Sequence, residues 1–184
     1  MVDVAESALA PEGTTTIVAH SRNGIVASAL AERVPERIAQ TIYLAAYMLR
    51  PGERVLDHVP DRGSLMPGNV QVNRVGLWDW LEPSAYRDAL YADCSEDDVT
   101  LARALLVREP VRPALTRLRL SPERYGRVPR AYIRLTEDRA VSPALQDRLI
   151  NETGAGRVES IRASHSAYFS KPDELVKTIL ALAT

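Results

Sequence analysis

The sequence is poor in the residue types that build several common kinds of site. Cys94 is the only cysteine among 184 residues, so an internal disulfide and a cysteine-based metal cluster are excluded. The three histidines are His20, His58 and His165, and no two of them have the helical spacing of metal ligands. We therefore predict no metal site, and we interpret Cys94 as a small apolar side chain.

A strong charge of one sign is also missing. Lys and Arg together number 23 against 24 Asp and Glu, and the net charge of −1 attracts neither nucleic acid nor an anionic membrane. A basic stretch runs from Arg108 to Arg130, but acidic residues elsewhere balance it and Tyr125 is the one aromatic residue within it. A solvated face is therefore favoured over an RNA-binding one.

Long apolar runs are absent as well. No run approaches the roughly 20 residues that span a bilayer. The amino terminus also lacks a basic segment followed by an apolar core, which is the pattern of a secretory signal. We therefore expect a cytoplasmic protein without a membrane partner.

Predicted helices and strands alternate at both ends of the chain. The first part of the core, residues 1–46, contains helices over residues 2–9 and 24–33 and strands over residues 14–19 and 38–45. The second part, residues 130–184, contains strands over residues 130–135 and 158–162 and helices over residues 142–151 and 172–182. This alternation predicts an α/β fold with a mainly parallel sheet and flanking helices.

Residues 47–129 have a different pattern. Pro and Gly are frequent, Trp78 and Trp80 lie close together, and residues 97–107 are typical of a short amphipathic helix. We interpret this segment as a mostly helical cap inserted into one structural domain, because 184 residues are too few to promise two domains.

Three polar residues follow predicted strands: Ser21, Asp138 and His165. The carboxyl ends of parallel strands lie at one edge of a sheet, so we expect these side chains to meet. A serine hydroxyl is a weak nucleophile that needs a base, and a histidine base needs a carboxylate to fix its tautomer. The order Ser, Asp, His is that of α/β-hydrolases, so the sequence predicts a catalytic triad.

The turn around Ser21 is typical of a nucleophile elbow, in which a strand turns sharply into a helix. Such a turn aims the helix amino end at the serine, so the backbone N–H of Arg22 is the predicted oxyanion donor. The residues two before and two after the serine must be small. Ala19 satisfies this, whereas Asn23 is larger than the usual glycine. Asn tolerates left-handed backbone angles and Gly24 adjoins it, which keeps the turn feasible.

Two assignments have alternatives. Asp138 could instead cap the helix that begins near Ser142, and Glu137 and Asp147 are rival acids for the triad. The predicted substrate-binding residues are His20, Leu77, Trp78 and Trp80. The last three could line an acyl or aromatic pocket, or could equally form a small core of the cap itself.

Several segments resemble one family. Ala-His-Ser-Arg-Asn-Gly over residues 19–24 and Thr-Ile-Tyr-Leu-Ala-Ala-Tyr-Met over residues 41–48 resemble the elbow region of α/β-hydrolases in the plant methylesterase and hydroxynitrile lyase group. Residues 89–102 resemble the last cap helix of that group, residues 132–143 its catalytic-aspartate segment and residues 164–175 its histidine loop. The resemblance covers essentially the whole chain and implies an α/β-hydrolase fold with the triad described above.

The resemblance implies hydrolysis of a small carboxylic ester, for example a methyl ester, through an acyl-enzyme and without a cofactor. Hydroxynitrile lyases of this group have a lysine directly after the histidine, and Ser166 stands there instead, which argues against that reaction. Two alternatives remain. One is a non-hydrolytic lyase, cyclase or isomerase of secondary metabolism, and the other is a catalytically silent ligand-binding protein.

Family members normally have early strands before the first helix, together with a loop that supplies a second oxyanion N–H. Without them we expect an unpaired edge on the strand over residues 14–19 and weak hydrolysis. A truncated or mis-started chain is the favoured explanation. The others are a separate amino-terminal chain that covers the edge, or a homodimer formed through it.

Overall fold

The computed structural model describes residues 1–59 and 61–183, and the chain begins with a helix–strand–helix–strand unit. Its elements are α1 (Val2–Ser7), β1 (Thr15–His20), α2 (Gly24–Arg33) and β2 (Ile38–Leu44). The bounds of α2 are those predicted, whereas β1 begins and ends one residue later than predicted. That shift makes His20 the last residue of the strand and Ser21 the first residue of the turn that follows.

The cap, residues 47–129, contains a small antiparallel sheet as well as helices. The strands are β3 (Val70–Asn73), β4 (Trp78–Leu81) and β5 (Glu109–Pro110), and the helices are α3 (Tyr86–Leu90), α4 (Glu96–Leu105) and α5 (Arg112–Leu115). Helices supply more of the regular structure than strands do, as predicted, but no strand was expected here. Ser95 begins α4 with a capping box, because its Oγ accepts a hydrogen bond from the Asp98 N–H at 3.1 Å.

The second part of the core completes the alternation. Its elements are β6 (Arg130–Leu135), α6 (Pro143–Thr153), β7 (Arg157–Ile161), α7 (Ala167–Ser170) and α8 (Pro172–Leu182). Ser142 caps α6 by accepting a hydrogen bond from the Leu145 N–H at 3.1 Å, and Pro143 occupies the first helical position. Among the described residues, no helix is long and apolar enough to cross a membrane.

Four parallel strands form the main sheet in the order β1-β2-β6-β7. Their carboxyl ends are aligned: His20 pairs with Leu44, Leu44 with Ile133, and Leu135 with Ile161. The turns that follow β1, β6 and β7 therefore emerge at the same edge. The predicted α/β fold with a parallel sheet is confirmed.

Both faces of the sheet are covered by helices. On one face, apolar side chains of β2, β6 and β7 pack against Leu175 and Leu182 of α8; the strand residues include Ile42, Ile133, Leu135 and Ile161. On the other face the rings of Tyr43 and Tyr132 stack with centroids 6.5 Å apart, and the Tyr43 hydroxyl lies 2.8 Å from the Ser28 hydroxyl of α2. A parallel sheet needs this cover on both sides, because its strands are apolar on both faces.

Strand β1 lies at one end of the main sheet. Within the described parts of the chain, β2 is the strand that pairs with it, and its other edge faces outward. Val18, in the middle of β1, has 42% of its surface exposed, whereas Ile42 of the neighbouring strand is fully buried. At this position β1 is thus more exposed to solvent than the neighbouring strand β2.

Candidate active site

Ser21 lies where β1 turns into α2. A 3₁₀ turn over Ser21–Asn23 joins the two elements, and Ser21 has a φ of +55°. A left-handed backbone is unfavourable for a residue with a Cβ and is typical of functional positions held by their surroundings. The turn thus has the sharp geometry of a nucleophile elbow.

Gly24, rather than Asn23, meets the steric demand of this turn. A Cβ at position 24 would lie 2.5 Å from the carbonyl oxygen of Tyr47 and 3.0 Å from its nitrogen, so only glycine fits. Asn23 has a φ of −69° and does not need the left-handed angles that were considered for it. The residue that must be small is therefore Gly24, whereas the elbow pattern places that demand one residue earlier, at Asn23.

Asp138 and His165 form a buried hydrogen-bonded pair. The His165 Nδ1–H donates to Asp138 Oδ2 at 2.7 Å, with 5% of the histidine side chain and none of the aspartate side chain exposed. This bond places the proton on Nδ1 and leaves Nε2 as a hydrogen-bond acceptor, which is the tautomer that a general base requires.

The contacts of Asp138 differ from those of the rival acids. Its second oxygen, Oδ1, accepts hydrogen bonds from the N–H groups of Ala140 and Val141 at 2.7 and 3.0 Å, and Ser142 caps α6 instead. The rival acids have other partners. Glu137 binds Arg162 at 2.6 Å, and Asp147 binds Arg134 at 2.5 Å.

His20 joins the elbow to the histidine loop. Its Nε2–H donates to the carbonyl oxygen of His165 at 2.9 Å, and the two imidazole rings lie 4.3 Å apart. Burial, with a smaller contribution from His165, lowers the pKa of His20 to about 3. His20 is therefore neutral at physiological pH and adds no positive charge beside the candidate base.

The residue before Ser21 contacts the loop of His165. His20 precedes Ser21 and is bonded to His165, so the elbow and the histidine loop are in contact. Among the hydrogen bonds formed by the described residues, none joins the Ser21 hydroxyl to His165. A catalytic hydrogen bond that is long in the free enzyme and tightens with substrate is common. The Arg22 N–H lies within the Ser21–Asn23 turn, at the amino end of α2, as the oxyanion role requires.

The side chain of Arg22 ties the elbow to the cap. Its Nη1 and Nη2 donate to the two carboxylate oxygens of Asp79 at 2.7 and 3.0 Å, and Nη2 also contacts Glu109. Asp79 belongs to β4 and Glu109 to β5. Only the backbone of Arg22 was predicted to have a role, because its side-chain partners lie 57 and 87 residues away and leave no local pattern in the sequence.

Residues of the cap also form hydrogen bonds with the loops that carry Asp138 and His165. Asp61 accepts hydrogen bonds from the N–H and Oγ of Ser142 at 2.9 and 2.6 Å, and the Leu65 N–H donates to the Arg139 carbonyl at 2.7 Å. Ser164, which precedes His165, donates to Asp93 of the cap. All three segments that carry the predicted triad residues are thus hydrogen-bonded to residues of the cap, and the sequence predicted none of these contacts.

The predicted substrate-binding residues of the cap lie around β4. Alternate side chains of a strand point to opposite faces, so Trp78 and Trp80 lie on the face opposite Asp79 and hence away from Arg22. Their rings are 5.0 Å apart, and the guanidinium of Arg108 stacks 3.9 Å from the Trp78 ring. Leu77 is half exposed. Their substrate-binding role stays a prediction.

The larger of the two cavities described for the chain lies apart from the candidate triad. An open cavity of about 670 Å³ is lined by Arg50, Pro51, Gly52, Glu53, Tyr125, Glu152 and Thr153, and it contains no member of the triad. Within residues 1–59 and 61–183, no three His, Cys, Asp or Glu side chains are grouped so that they could hold a metal ion.

A parallel sheet with helices on both faces and an inserted cap is the architecture of α/β-hydrolases, and sequence comparison places the chain in that class. The Alpha/beta hydrolase family model matches residues 2–178. The chain therefore belongs to the alpha/beta hydrolase family.

More similar relatives narrow the comparison. The chain is 32% identical over 188 residues to a putative methylesterase 12, chloroplastic, of Arabidopsis thaliana, covering 95% of this chain and 53% of the relative. It is 31% identical over 196 residues to putative methylesterase 14, chloroplastic, of the same plant, covering 100% and 56%. The chain thus spans about half the length of these relatives, and the resemblance to the methylesterase group is confirmed.

A solved structure supports the same relationship. The crystal structure of a methylesterase from Arabidopsis is 25% identical and superposes with a TM-score of 0.82, covering 97% of this chain and 73% of that one. The likeness therefore extends over the cap as well as over the sheet.

Proposed function

We propose that the chain is a serine hydrolase that cleaves a small carboxylic ester. Ser21 attacks the ester carbonyl while His165 Nε2 takes the hydroxyl proton, and Asp138 stabilises the imidazolium that forms. The Arg22 N–H binds the oxyanion of the tetrahedral intermediate. His165 then gives its proton to the leaving alcohol. In the second half of the reaction His165 takes a proton from water, which attacks the acyl-enzyme, and then returns that proton to Ser21 as the carboxylic acid leaves.

One observation carries this proposal: a buried aspartate–histidine pair at the sheet edge where a serine holds a left-handed elbow turn. The pair is 2.7 Å apart and fixes the histidine tautomer, and Ser21 has a φ of +55°. The contact between His20 and His165 brings these two loops together. This arrangement supports the assignment of nucleophile, base and orienting acid to residues that follow three separate strands.

A methyl ester is the substrate class that the relatives favour, because the Arabidopsis proteins described above are named methylesterases. Ser166 supports ester cleavage over the cyanide chemistry of hydroxynitrile lyases. Its side chain is buried, and its Oγ lies 3.2 Å from the Tyr168 hydroxyl. The residue directly after His165 therefore carries a hydroxyl and not an ammonium group.

Fluorophosphonate labelling followed by peptide mass spectrometry tests the proposal. We expect covalent modification of Ser21 in the wild type and none in Ser21→Ala or His165→Ala. Ester turnover should fall by about 10⁶-fold in Ser21→Ala and by about 10⁴-fold in Asp138→Asn. Ser84→Ala removes an exposed serine hydroxyl of the cap and serves as the matched control.

Two results would contradict the proposal. A folded wild-type chain that takes up no probe would point to a non-hydrolytic enzyme or a silent ligand-binding protein. Labelling of Ser21 that persists at the wild-type rate in His165→Ala would show that the histidine does not activate the serine.

A further inference from the structure

A partly buried ion cluster lies against the candidate nucleophile turn. Arg22 binds both oxygens of Asp79 and also contacts Glu109, and its side chain is 24% exposed against 12% for Asp79. A bidentate guanidinium–carboxylate pair fixes both distance and plane, so it is stronger and more specific than a single contact. The side chain of the residue after Ser21 is therefore held by the cap.

The two carboxylates come from neighbouring strands at directly opposed positions. Asp79 of β4 pairs with Glu109 of β5 in the antiparallel register. Like charges placed opposite each other destabilise a sheet, so an unpaired Asp79–Glu109 couple would weaken this one. Arg22 lies against both and offsets that repulsion.

The charge of Arg22 is maintained in spite of its burial. Burial alone would lower the pKa of Arg22, but the hydrogen bonds and negative charges of Asp79 and Glu109 raise it above its usual value. The space between the elbow helix and β5 is also narrow. Its cavity, lined in part by Ile25, Val26, Pro110 and Pro113, measures about 10 Å³, which is room for no more than about one water molecule.

We infer that Arg22, Asp79 and Glu109 form an ionic clamp that seats the cap sheet on the elbow and thereby holds the Arg22 N–H in position for catalysis. The inference rests on the proposed function, because it assigns a positioning role within that reaction. The guanidinium and the N–H belong to one residue, so fixing the side chain restricts rotation of the backbone at the oxyanion site. A displacement of about 1 Å in such a site can cost about 100-fold in rate.

Tryptophan fluorescence can report whether the ionic clamp is intact without any measurement of activity. The chain has two tryptophans, Trp78 and Trp80, and they flank Asp79 on β4. We expect Asp79→Asn to shift their emission to longer wavelength and to increase quenching by acrylamide. Glu109→Gln, which changes a more exposed partner, should produce a smaller shift in the same direction.

Kinetics then separate positioning from a purely structural role. We expect kcat and kcat/KM for a methyl ester to fall together by about 10-fold in Asp79→Asn with KM unchanged, because an oxyanion donor acts in the transition state only. The rate of fluorophosphonate labelling should fall in parallel. Arg22→Lys keeps the charge but not the bidentate geometry, and its loss should be intermediate.

Asp57→Asn is the matched control, because Asp57 also sits between charged partners, Arg54 and Arg117, but in another part of the cap. It should leave emission and kcat unchanged. The inference is overturned if Asp79→Asn and Glu109→Gln keep wild-type emission and kcat, or if kcat falls only in proportion to the unfolded fraction. An unlabelled wild-type chain would refute the proposed function instead, and emission would still decide whether the clamp seats the cap.

Discussion

His20, which is predicted to bind substrate, also shapes the site through its contacts with the loop of His165. It supports the loop of His165 by a hydrogen bond of 2.9 Å to its carbonyl, and burial keeps it neutral. A charged imidazole 4.3 Å from His165 would oppose the imidazolium that forms there during the reaction. A neutral buried donor at position 20 is thus compatible with a histidine base, whereas a cation would not be.

The pH dependence of stability tests this state of His20. Folding lowers its pKa from 6.5 to about 3. Between these two pH values His20 is protonated in the unfolded chain and neutral in the folded chain. The free energy of unfolding should therefore be greatest above pH 6.5 and decline as the pH falls from 6.5 toward 3. In His20→Gln, which keeps an N–H donor but does not titrate, thermal denaturation should show a shallower decline. Parallel curves for the two proteins between pH 6.5 and 5 would show that His20 is protonated in the folded state.

At the scale of elements, the elbow depends on how closely α2 approaches the segment after β2. The Tyr47 N–H donates to the Ser21 carbonyl at 3.1 Å, and Gly24 lies directly against the Tyr47 backbone. These contacts keep Ser21 in its left-handed conformation. The turn and the segment after β2 therefore form one packed unit.

Gly24→Ala should disrupt that unit. The new Cβ would lie 2.5 Å from the Tyr47 carbonyl oxygen, so backbone must move. We expect a loss of about 1–3 kcal/mol in the free energy of unfolding from overpacking, although alanine favours a helix by about 1 kcal/mol. Urea denaturation measures this, and Ser21 labelling should also slow.

Gly126→Ala is the control for this substitution. Its Cβ would have ordinary contacts of 3.5 Å or more, so stability should change little. If Gly24→Ala is as stable as Gly126→Ala, the close approach to Tyr47 is not a constraint on the elbow.

Sequence patterns predicted the core elements better than the cap. The bounds of α2, β6 and α8 match because helical spacing and continuous apolar strands are local signals. Strands β4 and β5 are four and two residues long and pair across a wide sequence gap, which no local pattern reveals. The pairing of Asp138 with His165 followed from strand order, whereas the ion pairs of Arg22 depend on tertiary contacts.

At the scale of the whole molecule, the described sheet has an exposed edge along β1. An unpaired strand edge is a template for pairing with another chain. We expect concentration-dependent self-association in analytical ultracentrifugation, and Val18→Lys should weaken it by placing a charge on that edge. Val158→Lys is the matched control, because Val158 is also 42% exposed but lies on β7 at the other end of the sheet. Equal weakening by both variants, or by neither, would show that β1 is not the associating edge.

The hydrogen bonds that Asp61, Asp79 and Asp93 accept have a consequence for protein engineering. Each reaches a segment that bears one of the three proposed catalytic groups, so the inserted region is not an interchangeable cover. A chimera that received this region from another esterase would lose these three acceptors. It would therefore lose turnover even if its new pocket fitted the desired ester. A chimera should therefore keep each acceptor together with its donor: Asp61 with Ser142, Asp79 with Arg22, and Asp93 with Ser164. The surface between these hydrogen-bonded residues can be redesigned freely.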